Sequence, residues 1–265
     1  MDIQYSIKAT LAVFERQLLL LWRKKIYFFL SLGMPAFIIF GIGPAASFLT
    51  AGGISNEYMI SGILCFSIIF SSMQGPLSLL FDKEQGYLNV ELVSPIPRYS
   101  IILGQSLAGG FRALLQSLII YTIAISSGLC TEFSINPLNV IGLFGFAIII
   151  AVFIEGFFSG ILSITKNTES FAMVTQLIGM PFILLSNVFI PTDSYQGALS
   201  FIKYIGYYNP VNYALNGIRY ILMGQTPGFE LWAPWIGPFS ILLIALLAIV
   251  FTLTGTYLFL RSVKK

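Results

Sequence analysis

The stretch 138-LNVIGLFGFAIIIAVFIEGFFSGILSI-164 contains a single charged residue, Glu155. A helix that crosses the hydrocarbon core of a bilayer needs about 20 mostly apolar residues, and this stretch exceeds that length. Similar apolar runs recur along the chain, because 57% of its 265 residues are hydrophobic and only 9% are charged. The sequence therefore predicts an all-α integral membrane protein with six transmembrane helices, at about 27–48, 58–80, 102–129, 138–164, 171–190 and 236–260.

Lysine and arginine residues are concentrated in alternate segments between the predicted spans. Several precede the first span, and others lie in 81–100, in 165–169 and after the last span, whereas 51–57 and 131–137 contain none. Short cytoplasmic segments of membrane proteins carry an excess of these residues. The distribution predicts a multi-pass protein with both chain ends in the cytoplasm. We also expect residues 1–265 to form a single transmembrane domain.

The composition argues against several classes of chemistry. The chain has no histidine, which removes Ser-His-Asp and Cys-His catalysis and histidine-containing zinc sites. It has no G-x-x-x-x-G-K-[ST] motif, so the sequence contains no P-loop for a nucleotide. A net charge of +3 gives no indication of a nucleic-acid partner. We therefore expect no catalytic residue, metal or cofactor in this chain, and no enzymatic activity.

The segment 1–25 precedes the first span and has helical periodicity. Its apolar residues fall on one helix face, and its basic residues lie off that face or close the segment. This pattern predicts an amphipathic helix in the cytoplasmic interface, in contact with lipid. It either anchors the chain only or also contacts a partner. The apolar residues are Ile7, Leu11, Phe14, Leu18 and Leu21, and the basic residues include Arg16, Arg23, Lys24 and Lys25.

The segment 81–100, FDKEQGYLNVELVSPIPRYS, is the most highly charged part of the chain. Asp82 precedes Gln85 by three residues, which is close to a capping-box pattern, and a short helix over about 83–92 is expected. A connection of about 20 residues is long for a simple turn between membrane helices. We therefore favour a docking element over a solvated turn.

Arg112 and Glu155 are charged residues inside two consecutive predicted spans. At a rise of 1.5 Å per residue, both lie roughly 15 Å from the cytoplasmic ends of their helices. Charges inside a membrane protein usually pair or face water, so an ion pair is one prediction. The alternative is that the third span protrudes from the bilayer and Arg112 reaches the interface through its flexible side chain.

The segment 191–234 lies between the fifth and sixth predicted spans. Its apolar stretches 198–208 and 211–223 are too short to cross a bilayer, and its many aromatic residues are typical of a membrane interface. Asn209-Pro210 marks the break between the two stretches. We expect extracytoplasmic re-entrant or interfacial helices that either cover the bundle or take part in gating. The candidate residues are Asn209, Pro210, Tyr213 and Arg219.

Three groups of motifs stand out along the chain. They are FDKEQGYL at 81–88 with ELVSPIPR at 91–98 and LGQSLAG at 103–109, SNVFIP at 186–191, and NPVNYA at 209–214 followed by Arg219. These motifs resemble those of type-2 ABC exporter permeases, the membrane subunits of drug-, polysaccharide- and lipid-exporting ATP-binding-cassette transporters. Their order and spacing match over nearly the whole chain, and the similarity is greatest to the daunorubicin-resistance-like group.

The resemblance implies an export permease of a prokaryotic plasma membrane that works as a homodimer or related heterodimer. It also implies two separate ATPase subunits, which would bind ATP and Mg²⁺, and a coupling helix between the second and third spans. The alternatives are an ATP-independent secondary transporter that uses Arg112 and Glu155, and a structural or assembly protein without a pathway. The residues implied in ATPase coupling are Asp82, Lys83, Glu84, Gly86, Glu91, Pro95 and Arg98.

Overall fold

The computed structural model describes residues 3–23, 26, 28–29, 32–38, 55–86, 97–126, 133, 136–165, 167–189, 200–224 and 236–263. Within these ranges the regular secondary structure is helical throughout, in agreement with the all-α prediction. The helices are α1 (Ile3–Arg23), α2 (Gly33–Phe37), α3 (Asn56–Glu84), α4 (Arg98–Ser126), α5 (Pro137–Leu162), α6 (Thr168–Leu184), α7 (Ser200–Tyr208), α8 (Pro210–Met223) and α9 (Ile236–Val263).

Among the residues that the structure describes, four helices are long and apolar enough to cross a membrane. These candidate spans are Asn56–Asp82 in α3, Tyr99–Ser126 in α4, Pro137–Leu162 in α5 and Ile236–Phe259 in α9. They correspond to four of the six predicted spans, so the prediction of a multi-pass membrane protein is confirmed.

The other two predicted spans are not established in the same way. The span expected at 171–190 corresponds to α6, which at 17 residues is shorter than the length that a perpendicular crossing needs. The span expected at 27–48 lies mostly outside the described residues, and its described part includes the short helix α2. The count of six therefore stays a prediction.

Helix α5 packs against α3, α4, α8 and α9 and forms the centre of the bundle. Leu143, Ala147 and Ile150 on this helix are fully buried. The helix begins at Pro137, and the side chain of its N-cap Asn136 accepts a hydrogen bond from the Leu138 backbone N–H at 3.2 Å. Proline suits this first position because the missing N–H would have no partner inside the helix.

Helices α5 and α9 approach closely through glycine. A Cβ on Gly156 would lie 2.6 Å from the backbone nitrogen of Thr252, and Gly255 packs against the Gly156 carbonyl. Real Cβ atoms do not come that near to a backbone atom, so a larger residue at either position would separate the helices. This backbone contact is the close packing that small residues permit between membrane helices.

Helix α1 lies against α4 through a side that includes part of its predicted apolar stripe, since the Phe14 ring contacts a phenylalanine ring of α4. Ala9 and Val13 are buried there, and a Cβ on Gly104 of α4 would lie 2.7 Å from the Val13 Cβ. Ile7 and Leu11, which belong to the stripe, remain exposed on this chain. The exposed part of the stripe fits an interfacial helix that faces lipid there.

Helices α7 and α8 are separated at Asn209-Pro210, as predicted. Asn209 caps α8, because its side chain accepts a hydrogen bond from the Val211 backbone N–H at 3.0 Å. Helix α8 ends at Gly224, which has a φ of 67° in the left-handed region that favours glycine. Helix α8 packs against α3, α5 and α9.

Candidate functional site

The first candidate site lies where α3 ends, at the start of the segment 81–100. Arg16 of α1 donates a hydrogen bond to the Asp82 carboxylate, with 2.9 Å between Nη2 and Oδ2. Both side chains are partly exposed, and pairs of this kind contribute up to about 1 kcal/mol. The pair ties the amphipathic helix α1 to the end of α3.

Glu84 makes a second connection from the end of α3. Its Oε1 accepts a hydrogen bond of 2.7 Å from the backbone N–H of Thr168, the first residue of α6. The first N–H groups of a helix have no partner within the helix, and a carboxylate there also interacts favourably with the helix dipole. Hydrogen bonding by Thr168, through its side chain and its backbone N–H, lowers the pKa of Glu84 from its usual value. Glu84 therefore ties α3 to α6.

Gly86 closes this region with a φ of 79°, a backbone conformation that residues with side chains rarely adopt. Lys83 and Glu84 were predicted to start a new helix over about 83–92, but they are the last two residues of α3. Glu91 and Pro95 lie outside the described residues, as do Lys24 and Lys25. Lys83 and Arg98 are described by their backbone only, and Arg23 is exposed at the end of α1.

The second candidate site brings together the two charges inside the membrane spans. The Arg112 Nη2 lies 3.6 Å from the Glu155 Oε1, which is an ion pair without a hydrogen bond. Only 1% of the Glu155 side chain is exposed, compared with 21% for Arg112. The carboxylate is thus held in the interior, and the guanidinium lies between it and a more open region.

Two glycines create the space for the Glu155 carboxylate. Gly75 of α3 and Gly109 of α4 both face it, and a Cβ added to either glycine would overlap the carboxylate atoms. Three helices therefore meet at this point, with α5 supplying the charge and α3 and α4 supplying the room. The sequence motifs contained Gly109 but gave no reason to connect it or Gly75 with Glu155.

The third candidate site surrounds Arg219 of α8, whose side chain is completely buried. Its Nε donates to Ser61 Oγ at 3.0 Å, and its Nη2 donates to the Asn187 carbonyl at 3.0 Å. The guanidinium also lies over the Tyr58 ring, with 3.6 Å between its carbon and the ring centroid. These contacts go to uncharged groups and join α8 to α3 and to the turn that follows α6.

The asparagines of the NPVNYA motif extend this network. Asn212 accepts a hydrogen bond from the Asn187 backbone N–H and donates one to the Gly206 carbonyl, both at 2.6 Å. Asn209 donates to the Phe182 carbonyl at 2.6 Å. The motif therefore fixes the α7–α8 connection to the end of α6.

Tyr213 lies in the same motif and donates its hydroxyl hydrogen bond to the Tyr207 carbonyl at 2.9 Å. Pro210 stands at the first position of α8. Asn209, Pro210 and Tyr213 thus hold the junction of α7 and α8 in place, whereas Arg219 joins α8 to α3. Ser61 and Tyr58 were not singled out from the sequence, because nothing in α3 marks the positions that meet Arg219.

No group of three or more His, Cys, Asp or Glu residues that could hold a metal occurs within the residues that the structure describes. The three sites consist of an ion pair and a capped helix at one end of the bundle, a buried charge pair within it, and an arginine network near the start of α3.

Comparison with known families identifies the chain. The model of the ABC-2 type transporter family matches residues 8–223. The chain belongs to this family. The matched region includes all three candidate sites of this ABC-2 permease, from Arg16 to Arg219. Its function is transport rather than enzymatic catalysis.

Curated relatives agree with this assignment. The protein named transport permease ycf38 in Porphyra purpurea is 27% identical over 79% of this chain and 72% of its own length. The protein of the same name in Pyropia yezoensis is 27% identical over 89% of this chain and 83% of its own length. That of Cyanophora paradoxa is 25% identical over 78% of this chain and 71% of its own length.

Proposed function

We propose that this ABC-2 permease is the membrane subunit of an ATP-binding-cassette exporter and is driven by two separate ATPase subunits. The supporting observation is the pair of connections at the end of α3. Asp82 is joined to α1 through Arg16, and Glu84 is joined to the start of α6 through Thr168. A partner that displaces the segment 81–100 would therefore move α1, α3 and α6 together.

This arrangement suits a mechanical coupling element. The energy source would lie in the partner chain, where ATP and Mg²⁺ bind, and this chain would supply the contact surface and the moving helices. Rigid-body displacement of packed helices is a common way to convert a local change into a larger one. The segment 81–100 would be the contact, with Asp82, Lys83, Glu84, Glu91 and Arg98 near the ATPase.

The permease would act as a pair of identical or related copies. The sequence has no internal repeat, so one chain provides half of a two-fold pathway. The distribution of lysine and arginine supports a multi-pass location with both termini in the cytoplasm, and we propose a prokaryotic plasma membrane. The coupling segment would then lie on the same side as the ATPase.

Co-purification tests this function directly. The chain is tagged and expressed with ABC ATPase subunits from its own source organism, and ATP hydrolysis is measured in reconstituted membranes. We expect the ATPase to be retained and hydrolysis to require it, with an ATPase variant that lacks its P-loop lysine as the control. Hydrolysis by the purified permease alone, or failure of the ATPase to bind it, would overturn the proposal.

A further inference from the structure

A cavity of about 390 Å³ lies between α1, α3 and α4, next to the ion pair of Arg112 and Glu155. Its volume falls within the range of small-molecule binding sites. Helix α3 lines it along one face from Phe70 to Asp82, which at 1.5 Å per residue corresponds to roughly 18 Å. The cavity is therefore elongated and runs beside a candidate membrane span.

The walls of the cavity are amphipathic. Leu20 of α1 and Phe70, Leu77 and Phe81 of α3 give it an apolar surface. Polar side chains line it as well, and they come from both long helices. They include Ser71, Gln74 and Ser78 of α3 and Gln116 of α4. The polar side chains in this lining favour an occupant that carries a polar group as well as an apolar body.

The charged group at one end of the cavity is the Arg112 guanidinium, whose ion pair with Glu155 includes no hydrogen bond. Arg112 lines the cavity, and its Nε and Nη2 are buried without a hydrogen bond. Its third nitrogen, Nη1, is not among the buried atoms and is the one that can reach the cavity. Glu155 does not line the cavity, since it lies behind Arg112 in the space left by Gly75 and Gly109.

The acidic residue in the lining is already paired. Asp82 lies at the other end of the cavity, about 12 Å along α3 from Gln74 at the helical rise per residue. Its carboxylate is bound by Arg16 at 2.9 Å. An anion that enters therefore meets a neutralised carboxylate at one end and an arginine nitrogen at the other.

We propose that this cavity binds an amphipathic organic anion. Its carboxylate or phosphate contacts Arg112 Nη1, and its apolar body lies along Leu20, Leu77 and Phe81. Charge-assisted hydrogen bonds from arginine to such groups are stronger than neutral ones. The site does not depend on coupling to an ATPase or on export of the ligand. Both bilayer lipids with an anionic headgroup and free amphipathic anions carry this chemistry.

Direct binding to the purified full chain tests the proposal. The chain is placed in nanodiscs of phosphatidylcholine and titrated with dansyl-undecanoate, and the same titration is made with the uncharged alcohol of that probe. We expect saturable fluorescence enhancement with the anion and at least tenfold weaker binding of the alcohol. Empty nanodiscs correct for partition into lipid. No ATPase is present, so failure of the proposed function does not affect the result.

Three variants locate the site. The double variant Arg112→Gln/Glu155→Gln keeps charge balance and side-chain size and is expected to weaken binding at least tenfold. Gln74→Trp fills the cavity without touching the ion pair and is expected to weaken it similarly. Arg23→Gln removes an exposed positive charge from α1 outside the cavity and should bind as the unmodified chain does. Gel filtration and thermal unfolding confirm that each variant is folded.

Equal binding of the anion and the alcohol would overturn the proposal, as would unchanged binding by the folded Arg112→Gln/Glu155→Gln and Gln74→Trp variants. A further arm separates the two sources of ligand. If nanodiscs with phosphatidylglycerol lower the apparent affinity for the probe, the anion site is accessible to bilayer lipid. If the affinity is unaffected while the variant effects persist, the site selects free amphipathic anions.

Discussion

Glu155 and Arg112 lie 3.6 Å apart inside the helical bundle, and the carboxylate fits there because the two nearest helices present glycine. The carboxylate is almost completely buried, so its charge depends on the guanidinium for compensation. Breaking a buried pair by removing one partner is costly, because it leaves an uncompensated charge in a poorly hydrated place. This relationship leads to the first two predictions.

Arg112→Ala and Glu155→Ala should each destabilise the protein. The double variant should destabilise it by less than the sum of the two single effects. The cost of a lone charge in a membrane helix is about 3 kcal/mol on insertion-based scales, and the double variant removes it. Thermal unfolding in a mild detergent measures the three variants. If the effect of the double variant equals the sum of the two single effects, the two side chains act independently, which would contradict their proximity in the structure.

Gly109→Ala should disrupt the bundle, because the added methyl group overlaps the Glu155 carboxylate. The effect should diminish in the Arg112→Ala/Glu155→Ala background, where that carboxylate is absent. Gly145→Ala is the matched control, since a Cβ at this position of α5 meets no atom within 4 Å. Equal loss of folded yield for Gly109→Ala in both backgrounds would show that the glycine serves another purpose.

Arg219→Leu should lower the free energy of unfolding by about 3 kcal/mol, since several buried groups lose a charged donor. Arg219→Lys should recover little of this lost stability, because an ammonium group can neither reproduce the planar contact with Tyr58 nor donate in the same fork geometry. Arg261→Leu is the control, as Arg261 is exposed near the end of α9. Stability of Arg219→Lys equal to that of the unmodified chain would contradict the network described here.

The contact of Glu84 with α6 should depend on acidity. Its pKa is lowered by the hydrogen bond from Thr168, so the contact contributes to stability above the usual pKa of about 4.5 and loses its contribution as the pH falls through the lowered value. The difference in melting temperature between the unmodified chain and Glu84→Ala should therefore shrink below pH 4.5. Glu15→Ala, at an exposed position of α1, is the control. A difference that is constant from pH 7 to pH 3.5 would contradict this contact.

Much of the helical organisation could be predicted from the sequence. The apolar runs gave four spans, and Asn209-Pro210 gave the boundary between α7 and α8, because these signals are local. The predicted start of a new helix at about residue 83 was wrong, since Asp82, Lys83 and Glu84 continue α3. A capping-type residue inside a continuing helix cannot be told from one at a new helix start by spacing alone.

The contacts that build the sites were less accessible. Gly75 and Gly109 matter because they leave room for a side chain far away in the sequence, and an empty volume has no local signature. Tyr58 and Ser61 meet Arg219 from a helix more than 150 positions earlier. The side of α1 that packs on α4 carries Ala9 and Val13, which are smaller than the residues of its apolar stripe and gave a weaker signal.

The central claim, that an ATPase acts on this permease through the segment after α3, is tested most directly by site-specific cross-linking. A photo-reactive amino acid replaces Gln85, an exposed residue beside Asp82 and Glu84, in the complex with the co-expressed ATPase. The same label at Leu138, exposed at the start of α5, is the control. The account predicts a cross-link to the ATPase from position 85 and none from position 138. An intact complex that gives no cross-link from position 85, or equal cross-linking from both positions, would contradict it.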